Sequence, residues 1–109
     1  MSRPKDLVQG TLDLLILRTL TLEPRHGWGI RERIEQISQG ELKVQQGSLY
    51  PALHKLEQQA WIKAQWRPSE NGRRAKYYAL TAAGKKRLAS ELREWERLTA
   101  AIGMVVREA

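Results

Sequence analysis

A mostly α-helical domain with one small β-hairpin is what this sequence predicts, on three observations. Residues 47–81, GSLYPALHKLEQQAWIKAQWRPSENGRRAKYYALT, read as a short amphipathic helix, a strand, a turn and a second strand. The turn carries Asn71-Gly72 between two strand-like runs, the strongest short-range hairpin signal. Residues 61–87 hold eight basic side chains and one acid, the two flanks cancel, and the formal excess of +7 therefore lies on the hairpin and the helix start after it. A helix that can enter a groove, followed by a ribbon with a basic tip, is the layout of a winged helix-turn-helix. Cationic excess confined to one element is the footprint of a partner that is a polyanion, most simply nucleic acid, and the winged helix-turn-helix layout makes double-stranded DNA the expected partner.

Residues 5–21 form the first helix, with Pro4 tolerated at or before its first turn. Leu7, Val8, Leu12, Leu14, Leu15, Ile16, Leu17 and Leu20 surround nearly its whole circumference. A helix apolar all round must be buried on more than one side. One small core does not easily cover it, so a second copy of the chain is expected to help, with Leu12 and Leu15 in the contact; crowding inside a single core is the other reading. Residues 23–27, EPRHG, then read as a loop, because proline and glycine end regular structure.

Helix two runs from about Trp28 to Ser38, with Ile30, Ile34 and Ile37 on one face and Gly40 as its C-terminal cap. After a connector over 41–46, helix three begins near Ser48, a good N-cap, and Pro51 fits its first turn. Leu49, Ala52, Leu53 and Leu56 are its buried stripe, which leaves Pro51, His54, Lys55 and Gln58 on an acid-free opposite face flanked by Ser48 and Tyr50.

Trp61 to Arg67 alternates, with Ile62, Ala64 and Trp66 inward, and Ala75 to Leu80 returns as the second strand. Thr81 caps a last helix reaching about Arg107. Leu88, Leu92, Trp95, Ile102 and Val106 recur along it with Thr99 filling the gap, a 3.5-residue seam suited to pairing with another helix, the alternative being that it folds back on its own domain. The expected division is a winged helix-turn-helix over 1–81 and a C-terminal dimerisation helix over 82–109. Leu12, Leu15, Leu88, Leu92, Trp95 and Ile102 form the expected homodimer interface. Two copies of Trp95 facing each other would make a flat slot for a planar aromatic ligand; Trp95 as an ordinary packing anchor is the plainer reading.

Recognition helices present mainly their N-terminal residues to the major groove. That selects Gln46, Ser48, Tyr50, Pro51 and Lys55, with Arg73, Arg74 and Lys76 as the wing's phosphate contacts. Catalysis is not expected, since two histidines and two aspartates leave little material for an acid–base or metal site. No cofactor or metal is expected. The longest aliphatic run, Leu14-Leu15-Ile16-Leu17, falls far short of the roughly 20 apolar residues of a membrane span. The absence of cysteine suits a reducing cytoplasm.

HGWGI at 26–30, GSLYPALHKLE at 47–57 and SENGRRAKYYALTAAG at 69–84 together resemble the signature of the PadR family of bacterial transcriptional regulators. The short tail resembles the compact subgroup with a single C-terminal helix. The resemblance implies a homodimeric repressor on an inverted-repeat operator, its last helix packed on the partner's first. It places Ser48, Tyr50, Pro51 and Lys55 on the DNA-facing helix and Arg73, Arg74 and Lys76 on the wing, and it implies a planar-ligand slot near Trp95. Trp28 stands where tyrosine is commoner, and Ala60 where glycine usually precedes the aromatic; neither is expected on the DNA face. Two other readings stay open at this point: a non-specific architectural nucleic-acid binder, and a protein-interaction winged helix.

Overall fold

The computed structural model describes residues 4–109, with side chains from Thr11 onward. Along the described chain the elements are α1 (Pro4–Thr19), β1 (Arg25–His26), α2 (Gly27–Ile37), α3 (Gln46–Gln58), β2 (Ile62–Pro68), β3 (Arg74–Leu80) and α4 (Ala82–Glu108). The helical class and the hairpin are as the sequence predicts. The hairpin, however, is part of a three-stranded sheet in the order β1-β3-β2.

The added strand falls where a loop is expected. Arg25 pairs with Tyr78 and His26 with Tyr77, antiparallel to β3. Two residues carry no periodicity, so local sequence does not reveal them. Their side chains fasten both neighbours: Arg25 Nε donates to the Thr19 carbonyl at 3.0 Å, and His26 Nδ1 accepts from the Gly29 amide at 3.0 Å, capping α2.

The core answers the question posed by α1. Leu12, Leu14, Ile16, Leu17 and Leu20 are all buried, in one cluster with Ile30, Ile34, Leu49, Leu53, Leu56, Ile62 and Leu88. α2, α3 and α4 of the same chain all pack on α1. The expectation that so apolar a helix needs a second copy is therefore corrected over its described part, and Leu12 offers no surface to a partner. Leu7 and Val8 lie outside the described side chains.

Both α2 and α3 end by the same device. The Gln39 amide reaches Gln36 O and the Gly40 amide Glu35 O, while the Ala60 amide reaches Glu57 O and the Trp61 amide Leu56 O. In this motif one residue takes a left-handed conformation, here Gln39 (φ 54) and Ala60 (φ 61). Gly40, expected as the cap, stands one residue further on.

Helix α3 begins earlier than expected. Gln45 is its N-cap, without a side-chain bond, so Ser48 lies inside the first turn and Pro51 is within the helix. Because Pro51 has no N–H, the Gly47 carbonyl lacks its usual donor four residues on.

The hairpin register runs from Ile62 opposite Leu80 to Pro68 opposite Arg74. At its tip Ser69 N donates to Arg73 O at 2.7 Å and Gly72 N to Ser69 O at 3.0 Å, a three-residue loop with Gly72 at φ +84. The Asn71 side chain stiffens it, its Oδ1 accepting from the Arg73 amide at 3.2 Å.

α4 is rooted on this framework. Thr81 Oγ1 accepts from the Gly84 amide at 3.0 Å and donates to the Ala60 carbonyl at 2.6 Å. Leu88 is buried in the chain's own core, which corrects its expected place in an intermolecular seam; Leu92 is half-buried against the same core. Beyond it the helix projects, and the molecule extends 54 Å along its longest axis. No helix among the described residues is long and apolar enough to cross a membrane.

Candidate nucleic-acid interface

The stripe Leu49, Ala52, Leu53 and Leu56 anchors α3 in the core. That orientation turns Gln46, Tyr50, Pro51, His54, Lys55 and Gln58 to solvent, with Ser48 half-buried. The exposed face carries no acid, and it stands beside the wing.

Two of the expected contact residues are already engaged. Lys55 Nζ lies 2.6 Å from Asp13 Oδ2 on α1. Lys76 Nζ lies 3.3 Å from Glu57 Oε1 on α3 and 5.7 Å over the Tyr78 ring. By contrast Arg73 and Arg74 are exposed and make no ion pair among the described residues. Sequence spacing groups Arg73, Arg74 and Lys76 as one cluster; the structure divides them by partner. Arg74, Lys76 and Tyr78 share one face of the sheet, and among the described residues Lys76 meets the Glu57 carboxylate while Arg74 meets none. Burial raises the Tyr78 hydroxyl above the ordinary tyrosine value, and the Lys76 cation partly opposes that shift.

Tyr50 serves the fold and the surface at once. A Cβ at Gly27 would lie 2.8 Å from Tyr50 Oη and 3.0 Å from Cε1, so glycine there lets the hydroxyl end of the ring pack against the start of α2. The ring still keeps 47% of its residue's surface.

That contact opens a groove between the start of α2, α3 and the hairpin. Its lining includes Trp28, Arg33, Tyr50, Trp66, Arg73, Arg74 and Lys76, with Glu32 and Glu70 among them. Trp28 is 57% exposed, with the Arg31 guanidinium 5.2 Å from its ring, and Trp66 is likewise 57% exposed. Two expectations change here. Trp66 shares a sheet face with buried Ile62, but the hairpin carries it past the helices that cover that face. Trp28, expected away from the DNA face, lines the same groove as Tyr50 and the wing arginines. The available signal was its position off the stripe of Ile30 and Ile34, the isoleucines that α2 buries, which denies it a place in the core; Ile37, expected on that face, is exposed.

The remaining cations lie elsewhere. Lys63, Gln65 and Arg67 occupy the opposite face of the sheet, with Arg67 stacked 4.2 Å over Tyr77. At the start of α4, Arg87 lies 4.7 Å over Trp61 and 3.0 Å from Glu91. The cationic excess is thus spread over both faces of the wing.

On the far half of α4, Trp95, Leu98, Ile102, Val105 and Val106 are exposed. They form one broad apolar arc, wider than the 3.5-residue seam because Leu98 and Val105 extend one flank. Leu15, on α1, is half-buried against the core.

A sequence profile of the transcriptional regulator PadR-like family matches residues 16–90. The chain is 30% identical over 90 residues to protein X of Lysinibacillus sphaericus, which is uncharacterized, with 83% of each covered. A solved transcriptional regulator from Clostridium thermocellum superposes with a TM-score of 0.83 at 27% identity, covering 91% of this chain and 96% of that one. A PadR family transcription regulator from Clostridium difficile superposes with a TM-score of 0.75 at 28% identity, over 89% of this chain and 99% of that one.

Proposed function

This chain belongs to the PadR-like family of transcriptional regulators, and from that premise we propose that it is a cytoplasmic repressor binding an inverted-repeat operator as a homodimer. The observation that carries the reading is the acid-free exposed face of α3 set beside Arg73 and Arg74, which make no ion pair among the described residues. α3 would enter the major groove, where Gln46 and Ser48 in its first turn reach base edges. Tyr50 and Pro51 pack on the sugar–phosphate chain and Lys55 takes a phosphate. Arg73, Arg74 and Lys76 would hold the flanking backbone from the wing.

The recognition unit is residues 1–81, and 82–109 is the dimerisation helix. Its exposed arc, with Trp95 and Ile102 central, is covered by a second copy, and half-buried Leu92 lies at the arc's near edge. Leu15 adds to the contact from α1. Half-sites then fall about one helical turn apart, roughly 34–36 Å. Repression works by occlusion of polymerase, and a planar aromatic effector seated between paired Trp95 rings releases the operator.

The test is binding of the purified protein to DNA from its own upstream region, against a scrambled duplex of equal length. A preference of roughly a thousandfold or more marks a sequence-specific regulator. Arg73→Ala should weaken binding to both duplexes and lower the log–log salt slope by about one. Ser48→Ala or Gln46→Ala should cost about 1–3 kcal/mol at the operator alone. Equal, weak affinity for every duplex tried would sink the reading.

A further inference from the structure

We infer that the groove between the start of α2 and the hairpin is also a binding site for unstacked nucleobases, which makes this chain a single-stranded nucleic-acid binder as well as a duplex binder. Three aromatic side chains line it, Trp28 and Trp66 at 57% exposure and Tyr50 at 47%. Large aromatic faces left open to water carry a hydrophobic cost, and they gather here instead of being scattered over the surface. Arg73, Arg74 and Lys76 line the same groove.

What would occupy it follows from chemistry. A duplex keeps its base faces stacked inside and shows its surroundings phosphates, sugars and base edges. Arginines suffice for those phosphates, and tryptophan rings have no charge to offer them. A single strand presents both phosphates and free π-faces, and binders of such strands combine a cationic track with stacking rings. The Arg31 guanidinium lies 5.2 Å over the Trp28 ring, and 57% of that residue's surface stays open for a base. This inference does not rest on operator recognition, because bases are engaged by their faces and not by their edges.

The experiment titrates tryptophan fluorescence of the full chain with a single-stranded thymidine dodecamer and with an abasic dodecamer of the same backbone. The thymidine strand should quench and bind more tightly, by roughly tenfold per stacked base. Trp28→Ala with Trp66→Ala should erase that preference, and should lower affinity for the thymidine strand further than affinity for a random duplex. Trp28→Tyr with Trp66→Tyr should restore most of it. Equal binding of the thymidine and abasic strands would overturn the proposal. So would a base preference that survives loss of both tryptophans, or a duplex affinity that falls as far as the single-strand affinity.

Discussion

Lys55 Nζ and Asp13 Oδ2 are 2.6 Å apart, so the cation on the exposed face of α3 is held by a carboxylate from α1. Lys55 can reach a phosphate only by sharing or leaving that partner. Both groups are partly exposed, and such pairs contribute less than about 1 kcal/mol. Asp13→Asn should therefore cost little in a urea melt. It should raise affinity for any duplex by up to roughly fivefold at low ionic strength, with the gain fading as salt is added. Anisotropy titrations at two salt concentrations check this; an unchanged or weakened affinity at low salt would show that Asp13 positions Lys55 instead of restraining it.

Gly84 packs directly on the Trp61 carbonyl: a Cβ at residue 84 would overlap that oxygen and press on Leu80 Cδ2. Backbone on one side and the core on the other leave nothing free to move. Gly84→Ala should destabilise the domain by about 1–3 kcal/mol even though alanine is the better helix former. Gly47→Ala, whose Cβ meets nothing within 4 Å, is the control and should not destabilise.

Ala60 closes α3 at φ 61, a conformation that suits glycine. Ala60→Gly should relieve that strain and raise stability by about 1 kcal/mol, a gain of roughly 4–8 °C in Tm. A Tm that falls would mean the backbone entropy of glycine outweighs the relief.

Leu88 and Ile102 lie along the same apolar seam of α4 but differ in surroundings, Leu88 buried and Ile102 51% exposed. Leu88→Ala should cost about 2–5 kcal/mol of folding stability. Ile102→Glu should leave the isolated domain folded and shift sedimentation from dimer to monomer. Retention of the dimer by Ile102→Glu would remove the distal arc of α4 from the interface.

Burial raises the Tyr78 hydroxyl above its ordinary value of 10.0, with Lys76 lowering it and Glu57 and Tyr50 adding smaller raises. The folded state thus favours the neutral phenol. Its contribution to stability is complete below about pH 10 and is lost as pH rises through the folded value, because the unfolded chain ionises first. Denaturation midpoints between about pH 9 and pH 11 should fall for the wild type and fall less for Tyr78→Phe.

Much of the fold was legible along the chain, and the reason is local. The stripes of α2 and α3, the alternation of β2 and the Asn71-Gly72 turn depend on spacing within one element. The Thr81 cap likewise involves atoms three residues apart. The acid-free face of α3 follows directly, since fixing the buried stripe fixes its opposite.

Other features were settled only when distant segments met. β1 exists because β3 lies beside it, and two residues have no period to announce them. The coverage of α1 by its own chain removed the argument for a partner that its composition suggested. Lys76 and Arg74 look alike in the sequence, yet Glu57 meets one and not the other. Trp28 and Trp66, far apart along the chain, line one groove. By itself, the sequence determined the helices, the hairpin and the confinement of positive charge, because these rest on periodicity and composition. Tertiary structure decided which cations are free and which aromatics share a surface, because both depend on contacts between residues that no local pattern connects.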